Sequence, residues 1–422
     1  MLILYSQIGY PLFFILCFIL WPVLPKKLKK SIQLKFKAHF PKANKPCILI
    51  HAASGEIEYA KPVIRELNAL NLPYQILVTY SSPSFNKLFQ DTQNTITCVL
   101  PFDFQFLLRR FFKQYQVKII LVARSDLWPN FLLTARQLKI PTIYFSVTQG
   151  KSKEDLNFFK IQYLKEIYCL ISKTYVVSEA DLKNLQSFLP STHSVSVLGD
   201  TRFDQALYRI QNPKALPTPF TFLNIKGLTL TLGSTWEEDE NYWIPALYEI
   251  LKTNVKCIFI APHEPTESHL KQLENKLDAF KLKHQRLSTV TTSITDSSII
   301  LIDQTGILAE VYLKSDLAFV GGSFKSKVHS VMEPLMAGLP ICVGPFYLNN
   351  REAIQFSEKY IPNSNLSIVT QVNNSFDIIQ WTCTIAQAYA TTELKSYIQK
   401  EALAQTGASK RLASQIKNCL ET

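Results

Sequence analysis

The chain has 422 residues, 47% of them hydrophobic, with 45 Lys and Arg against 33 Asp and Glu, a net charge of +12. That length suits two mid-sized domains, the apolar content excludes a disordered polymer, and the charge points to anionic partners. No zinc-finger spacing, arginine-rich tract or aromatic RNA-binding signature is present, so nucleic acid is not an expected partner.

Residues 1–24 carry no charged side chain and are long enough to cross or enter a bilayer. Lys26, Lys27, Lys29 and Lys30 follow at once. A cleaved signal peptide places its charge before the apolar run, whereas here the order is reversed. The lysines and all that follow are therefore expected in the cytoplasm. Gly9, Pro11 and Pro22 interrupt the anchor, which leaves a tilted span and a monotopic helix both open. A basic juxtamembrane segment, 25–45, connects it to the body.

From Pro46 the pattern alternates short apolar strands with helical stretches. Strands are predicted at Cys47–His51, Gln75–Tyr80, Lys118–Val122 and Pro141–Val147, and helices at Ile57–Leu70 and Phe104–Tyr115. This rhythm predicts an α/β body with a largely parallel sheet, the first domain covering 46–211. Glu56 ends His51-Ala52-Ala53-Ser54-Gly55-Glu56, at the carboxyl end of the first strand. There it suits a general base for an acceptor hydroxyl, or equally an acid favouring a helix N-terminus. Arg124 and Asp126 in Ala123–Asn130 read either as substrate-binding groups or as a surface ion pair.

A proline-rich linker is placed at 212–226. The rhythm then restarts over 227–385, with strands at Leu228–Leu232, Val255–Ala261, Ser298–Ile302, Leu317–Val320 and Ile341–Val343. Residues 386–422 read as terminal helix. Gly233-Ser234-Thr235 and His263 lie at strand ends on one side, where hydroxyls and a histidine can meet phosphate. Gly321-Gly322-Ser323 ends the Leu317–Val320 strand, followed by Lys325, Lys327 and an expected helix placing His329 and Glu333 on one face. Strand, glycine turn and helix N-terminus suit a phosphorylated ligand. The eight cysteines are scattered without a CxxC, as expected of reduced core thiols rather than a metal knuckle.

In order, the stretches HAASGE, LPFD, SDLWPN, LGDTRFD, GSTWE, APHEP, DQTGILAEVY, FVGGS, HSVMEP and GPFYLNN resemble the 3-deoxy-D-manno-octulosonic acid (Kdo) transferases of lipopolysaccharide synthesis. The resemblance implies an inverting GT-B glycosyltransferase, two Rossmann-like domains facing across a cleft, with an N-terminal membrane anchor helix. It implies CMP-Kdo as donor and a lipid A precursor (lipid IVA) as acceptor, at the cytoplasmic face of the inner membrane, with no metal and no cofactor. Glu56 falls on the family's catalytic base. Ser234, His263, Gly306, Gly322, Ser323, His329, Glu333 and Asn350 fall on donor-facing stretches, and Ser54, Gly55 and Asp126 on the acceptor side. Alternatives are a GT-B transferase with another nucleotide-sugar donor, or a non-catalytic glycolipid-binding homologue. This chain departs from the family's HxxSVGE by lacking the valine. Arg124 and Asp126 replace the two glutamates of ETELWPN, and KVHS replaces GGHN.

Overall fold

In a computed structural model, residues 1–83, 85, 89, 94–217, 220, 225–290, 298–362, 364–388 and 393–421 are described. The chain divides into two compact units, residues 1–205 with 406–422, and residues 206–405. The division falls inside the helix Thr201–Gln211, upstream of the linker expected at 212–226.

In the first unit the strands are β1 (Cys47–His51), β2 (Gln75–Tyr80), β3 (Thr95–Val99), β4 (Ile119–Ala123), β5 (Thr142–Val147), β6 (Lys173–Val176) and β7 (Val195–Val197). They form one parallel sheet in the order β3-β2-β1-β4-β5-β6-β7. Apolar residues occupy both phases of each central strand. Cys47, Leu49, Leu77, Ile120 and Val122 pack in one cluster, and Ile48, Ile50, Ile76, Val78 and Leu121 in another. A strand buried on both faces must read as an unbroken apolar run. In this unit the strands expected from such runs are found to within a residue at each end. β3, β6 and β7 are short and half polar, so no periodicity announced them.

The second unit repeats the plan with β8 (Leu228–Thr235), β9 (Val255–Pro262), β10 (His284–Arg286), β11 (Ser298–Leu301), β12 (Leu317–Val320), β13 (Ile341–Val343) and β14 (Val369–Gln371). Their order is β10-β11-β9-β8-β12-β13-β14, all parallel. In each sheet the order in which successive strands are added reverses at a central pair, β1 with β4 and β8 with β12. That is the place where the carboxyl ends of an open α/β sheet receive a ligand. This is a GT-B fold.

After the helix Ser375–Ala388, the span 386–422 expected as terminal helix carries Leu394–Leu403 and Ala408–Glu421. The last returns to the first unit, where Ala408, Leu412, Ala413 and Ile416 join the cluster around Ile57 and Val63. Asp204 accepts hydrogen bonds from Gly407 N (2.5 Å) and Ser409 N (2.7 Å), fixing the start of that helix.

At the N-terminus a helical run, Leu2–Ile19, is long and apolar enough to cross a membrane. Gly9 and Pro11 do not break it. Residues Tyr5–Gly9 widen into a π turn, which accommodates the ring of a proline lacking its amide hydrogen.

Candidate active site

In the first unit, β1 delivers His51 and the loop 52–56 to the carboxyl edge of the sheet. The ladder continues one step, with Ala52 N donating to Thr79 O (3.0 Å). Glu56 then stands immediately before the helix Ile57–Ala69. Its Oε2 accepts from Ser54 N (3.0 Å) and its Oε1 from Ser125 Oγ (2.8 Å). A β-carbon on the exposed Gly55 would meet no atom within 4 Å, so space remains beside the carboxylate.

Asp126 is held from behind. His51, fully buried, donates from Nε2 to Asp126 Oδ2 (3.0 Å), and the Trp128 indole donates to the same oxygen (3.0 Å). Burial pushes the Asp126 carboxyl up, but the His51 and Trp128 bonds outweigh it and hold the group below the ordinary range. Asp126 thus positions the 124–128 turn that carries Ser125. Arg124 adopts a left-handed backbone (φ +57°), and its guanidinium donates to the Tyr59 hydroxyl. Arg202 lies 4.7 Å over the same Tyr59 ring. The altered ETELWPN motif therefore does not form a surface Arg124–Asp126 ion pair. A pocket of about 410–470 Å³ scale is common for small ligands, and one of 470 Å³ is lined here by Ser125, Leu127, Tyr144, Lys151, Lys160 and Tyr163.

In the second unit, two strand ends come close enough to demand glycine. A β-carbon on Gly321 would lie 2.3 Å from Ser234 O, and one on Gly233 would lie 1.9 Å from the Tyr312 hydroxyl. Ser234 itself has φ +55°. Gly322, at φ +81°, has no room either, since Lys327 O would be 2.4 Å away. The turn is fixed by Asp239, whose carboxylate accepts from Gly322 N (2.7 Å), Phe324 N (3.0 Å) and Trp236 N (2.9 Å). Burial nevertheless pushes Asp239 up to about 6. In the sequence Asp239 is one of four consecutive acids, 237–240. Its position three residues into a helix after a strand turn was the available signal.

His329 lies in the loop ahead of a five-residue helix, Met332–Met336, not on a shared helical face with Glu333. Pro334 and the Gly338 stop leave room for little more than one turn. The His329 ring stacks on His263 (4.2 Å between centroids, 13° between planes), which stacks in turn on Trp236 (4.9 Å). The Trp236 indole donates to His329 Nε2 (3.0 Å), so the neutral ring carries its proton on Nδ1. Burial, with the neighbouring His263 and Lys327, lowers His329 to about 4. Lys325 Nζ sits 3.9 Å over the Trp236 ring.

A 410 Å³ pocket is lined by Arg209, Ser234, Gly306, Tyr312, His329 and Glu333, with Arg209 donating to Glu333 (2.7 Å). Gly306 has φ +86° and an open flank. The remaining expected residues are engaged in the scaffold. Ser323 Oγ is buried, donating to Val320 O (3.0 Å) and accepting from Gly344 N (2.7 Å). Asn350 caps the helix Arg351–Ser357 and donates to His329 O (2.9 Å). The amides of Gly321 and Gly322 are also spent, on Gly233 O and Asp239. Among the described residues, no group of three or more His, Cys, Asp or Glu side chains is placed to hold a metal ion.

Residues 27–205 match the family described as 3-Deoxy-D-manno-octulosonic-acid transferase (kdotransferase). The chain is 23% identical over 345 residues to a 3-deoxy-D-manno-octulosonic acid transferase of Chlamydia pneumoniae, covering 78% of this chain and 76% of that one. It is 25% identical over 334 residues to that of Aquifex aeolicus, covering 76% and 84%. In fold it is similar to the UDP-GlcNAc 2-epimerase of Neisseria meningitidis, at a TM-score of 0.59 and 15% identity, over 89% of this chain and 99% of that one. The fold, the motifs in order and these relatives agree: the chain is a GT-B glycosyltransferase whose residues 27–205 match the 3-deoxy-D-manno-octulosonic-acid transferase family.

Proposed function

We propose that the chain transfers Kdo from CMP-Kdo to a phosphorylated disaccharide lipid A precursor, lipid IVA, at the cytoplasmic face of the inner membrane, with inversion at the anomeric carbon. The observation that carries this reading is the Glu56 carboxylate, pinned by Ser54 N and Ser125 Oγ at a sheet edge although its motif is one residue short. Glu56 takes the proton from the acceptor hydroxyl, and the oxygen attacks the anomeric carbon. The bond from that carbon to the CMP phosphate oxygen breaks, and CMP leaves. Lys151 and Lys160, which line the pocket beside Ser125, and Arg124 and Arg202, which lie over the Tyr59 ring, supply positive charge for a phosphorylated acceptor.

Charge gathering on the departing phosphate is met by the Ser234 hydroxyl, the His329 Nδ1–H and Arg209. The glycine-turn amides do not serve, because the scaffold already uses them. The Glu333–Arg209 pair offers a carboxylate to ribose hydroxyls. Purified protein incubated with CMP-Kdo or with UDP-sugars, each with lipid IVA, tests the assignment by product mass. Transfer from a UDP-sugar alone would overturn the donor.

A further inference from the structure

We infer that the Leu2–Ile19 helix lies in the plane of the membrane instead of crossing it, and that Phe158 and Phe159 insert beside it as a second element of one docking surface. This rests on the membrane location proposed above and specifies how the chain meets an anionic leaflet.

The helix is tied to the first unit at successive turns. Leu2 N donates to Glu166 Oε2 (3.0 Å). The Tyr5 hydroxyl donates to Asp103 Oδ2 (3.1 Å), and Asp103 N donates to the Tyr10 hydroxyl (2.9 Å). Phe14 packs edge-on against Phe102 (5.0 Å) and Phe104 (5.2 Å). Asp103 is no mobile partner. It is 1% exposed and also accepts from Asn130 N (3.1 Å) and Phe131 N (2.9 Å), at the start of the helix Pro129–Gln137. From Leu2 to Phe14 a helix advances roughly 18 Å, over half the thickness of a hydrocarbon core. A spanning helix would carry that length away from the body, yet here the body holds it from end to end.

The opposite face is bare. Ile3, Leu4, Ile8, Leu12, Ile15 and Ile19 are each more than half exposed, with no charge among them. Phe158 and Phe159 are 73% and 74% exposed at the start of the helix Phe158–Tyr168, the helix that carries Glu166. Lys26, Lys27 and Lys30 follow on the exposed side of the next helix, Lys26–Phe36. Helix Lys26–Phe36 is fixed to the same unit by Ser31 Oγ donating to Ser81 O (2.8 Å). An apolar face bordered by lysines matches acyl chains beneath anionic headgroups. A second copy would set the same lysines against each other.

Two measurements on the full chain test this. With epitope tags at both ends, protease added to inverted membrane vesicles is expected to remove both tags, while right-side-out vesicles protect both. An N-terminal tag cut only from the other side would overturn the in-plane helix while leaving the membrane location intact. A chain absent from the membrane fraction would overturn the location as well. Second, Phe158→Glu with Phe159→Glu should lower partition onto phosphatidylglycerol–phosphatidylethanolamine vesicles about tenfold or more, at an unchanged melting temperature. Unchanged partition would remove the second element from the surface.

Discussion

Gly322→Ala puts a β-carbon where the structure has no place for it. The residue sits at φ +81°, which for an L side chain costs about 1–2 kcal/mol. The new carbon would stand 2.4 Å from Lys327 O, and backbone cannot yield as a flexible side chain does. The loop must move by more than half an ångström, stretching the Gly322 N bond to buried Asp239. Losing part of that charge-assisted bond adds about 1–2 kcal/mol, for a total near 2–4 kcal/mol. At roughly 2–4 °C per kcal/mol for a unit of this size, the melting temperature of residues 206–405 should fall by about 5–15 °C. Because the same carbon would lie 3.1–3.2 Å from the His329 ring, calorimetric titration should show CMP affinity reduced about tenfold or more. Gly55→Ala is the control, having an open flank and no positive φ, and should melt as wild type. A Gly322→Ala protein with wild-type melting and CMP affinity would refute the reasoning.

Asp239→Ala orphans three amides at once and should cost at least about 3 kcal/mol in urea unfolding followed in the second unit. His329 has a folded pKa of about 4 against about 6.5 in the unfolded chain. Below pH 6.5 the unfolded state therefore takes a proton that the folded state refuses, and stability falls as the pH drops from 6.5 to 4. His329→Asn should flatten that part of a melting-temperature profile and weaken CMP binding, as should Glu333→Ala for binding alone. Ser125→Ala should lower kcat by about 3–30-fold with CMP affinity unchanged, since one of two bonds aiming Glu56 is lost.

The sheet was legible because strands buried on both faces leave no alternative to runs such as Cys47–His51 and Leu317–Val320. Glycines at strand ends were equally readable, since Gly233, Gly321 and Gly322 each face an atom that forbids a side chain. Less legible were residues whose partners lie far along the chain. Asp103 is met by Tyr5 and by Phe131, and Glu56 by Ser125 across 69 residues. Spacing placed His329 and Glu333 on one helix, but Pro334 and Gly338 confine that helix to five residues. The two still border one pocket because the loop, not the helix, delivers the histidine.

The central claim is that Glu56 is the base of a Kdo transfer. Wild type and Glu56→Gln, each with CMP-Kdo and lipid IVA, should be compared by product mass under initial-rate conditions, with CMP affinity measured alongside. The account predicts a Kdo-extended lipid from wild type. For the variant it predicts a rate about 10²–10⁴ lower with CMP affinity nearly unchanged, because the lost carboxylate serves the acceptor. A variant turning over within a few-fold of wild type, or a wild type that leaves lipid IVA unextended, would contradict it.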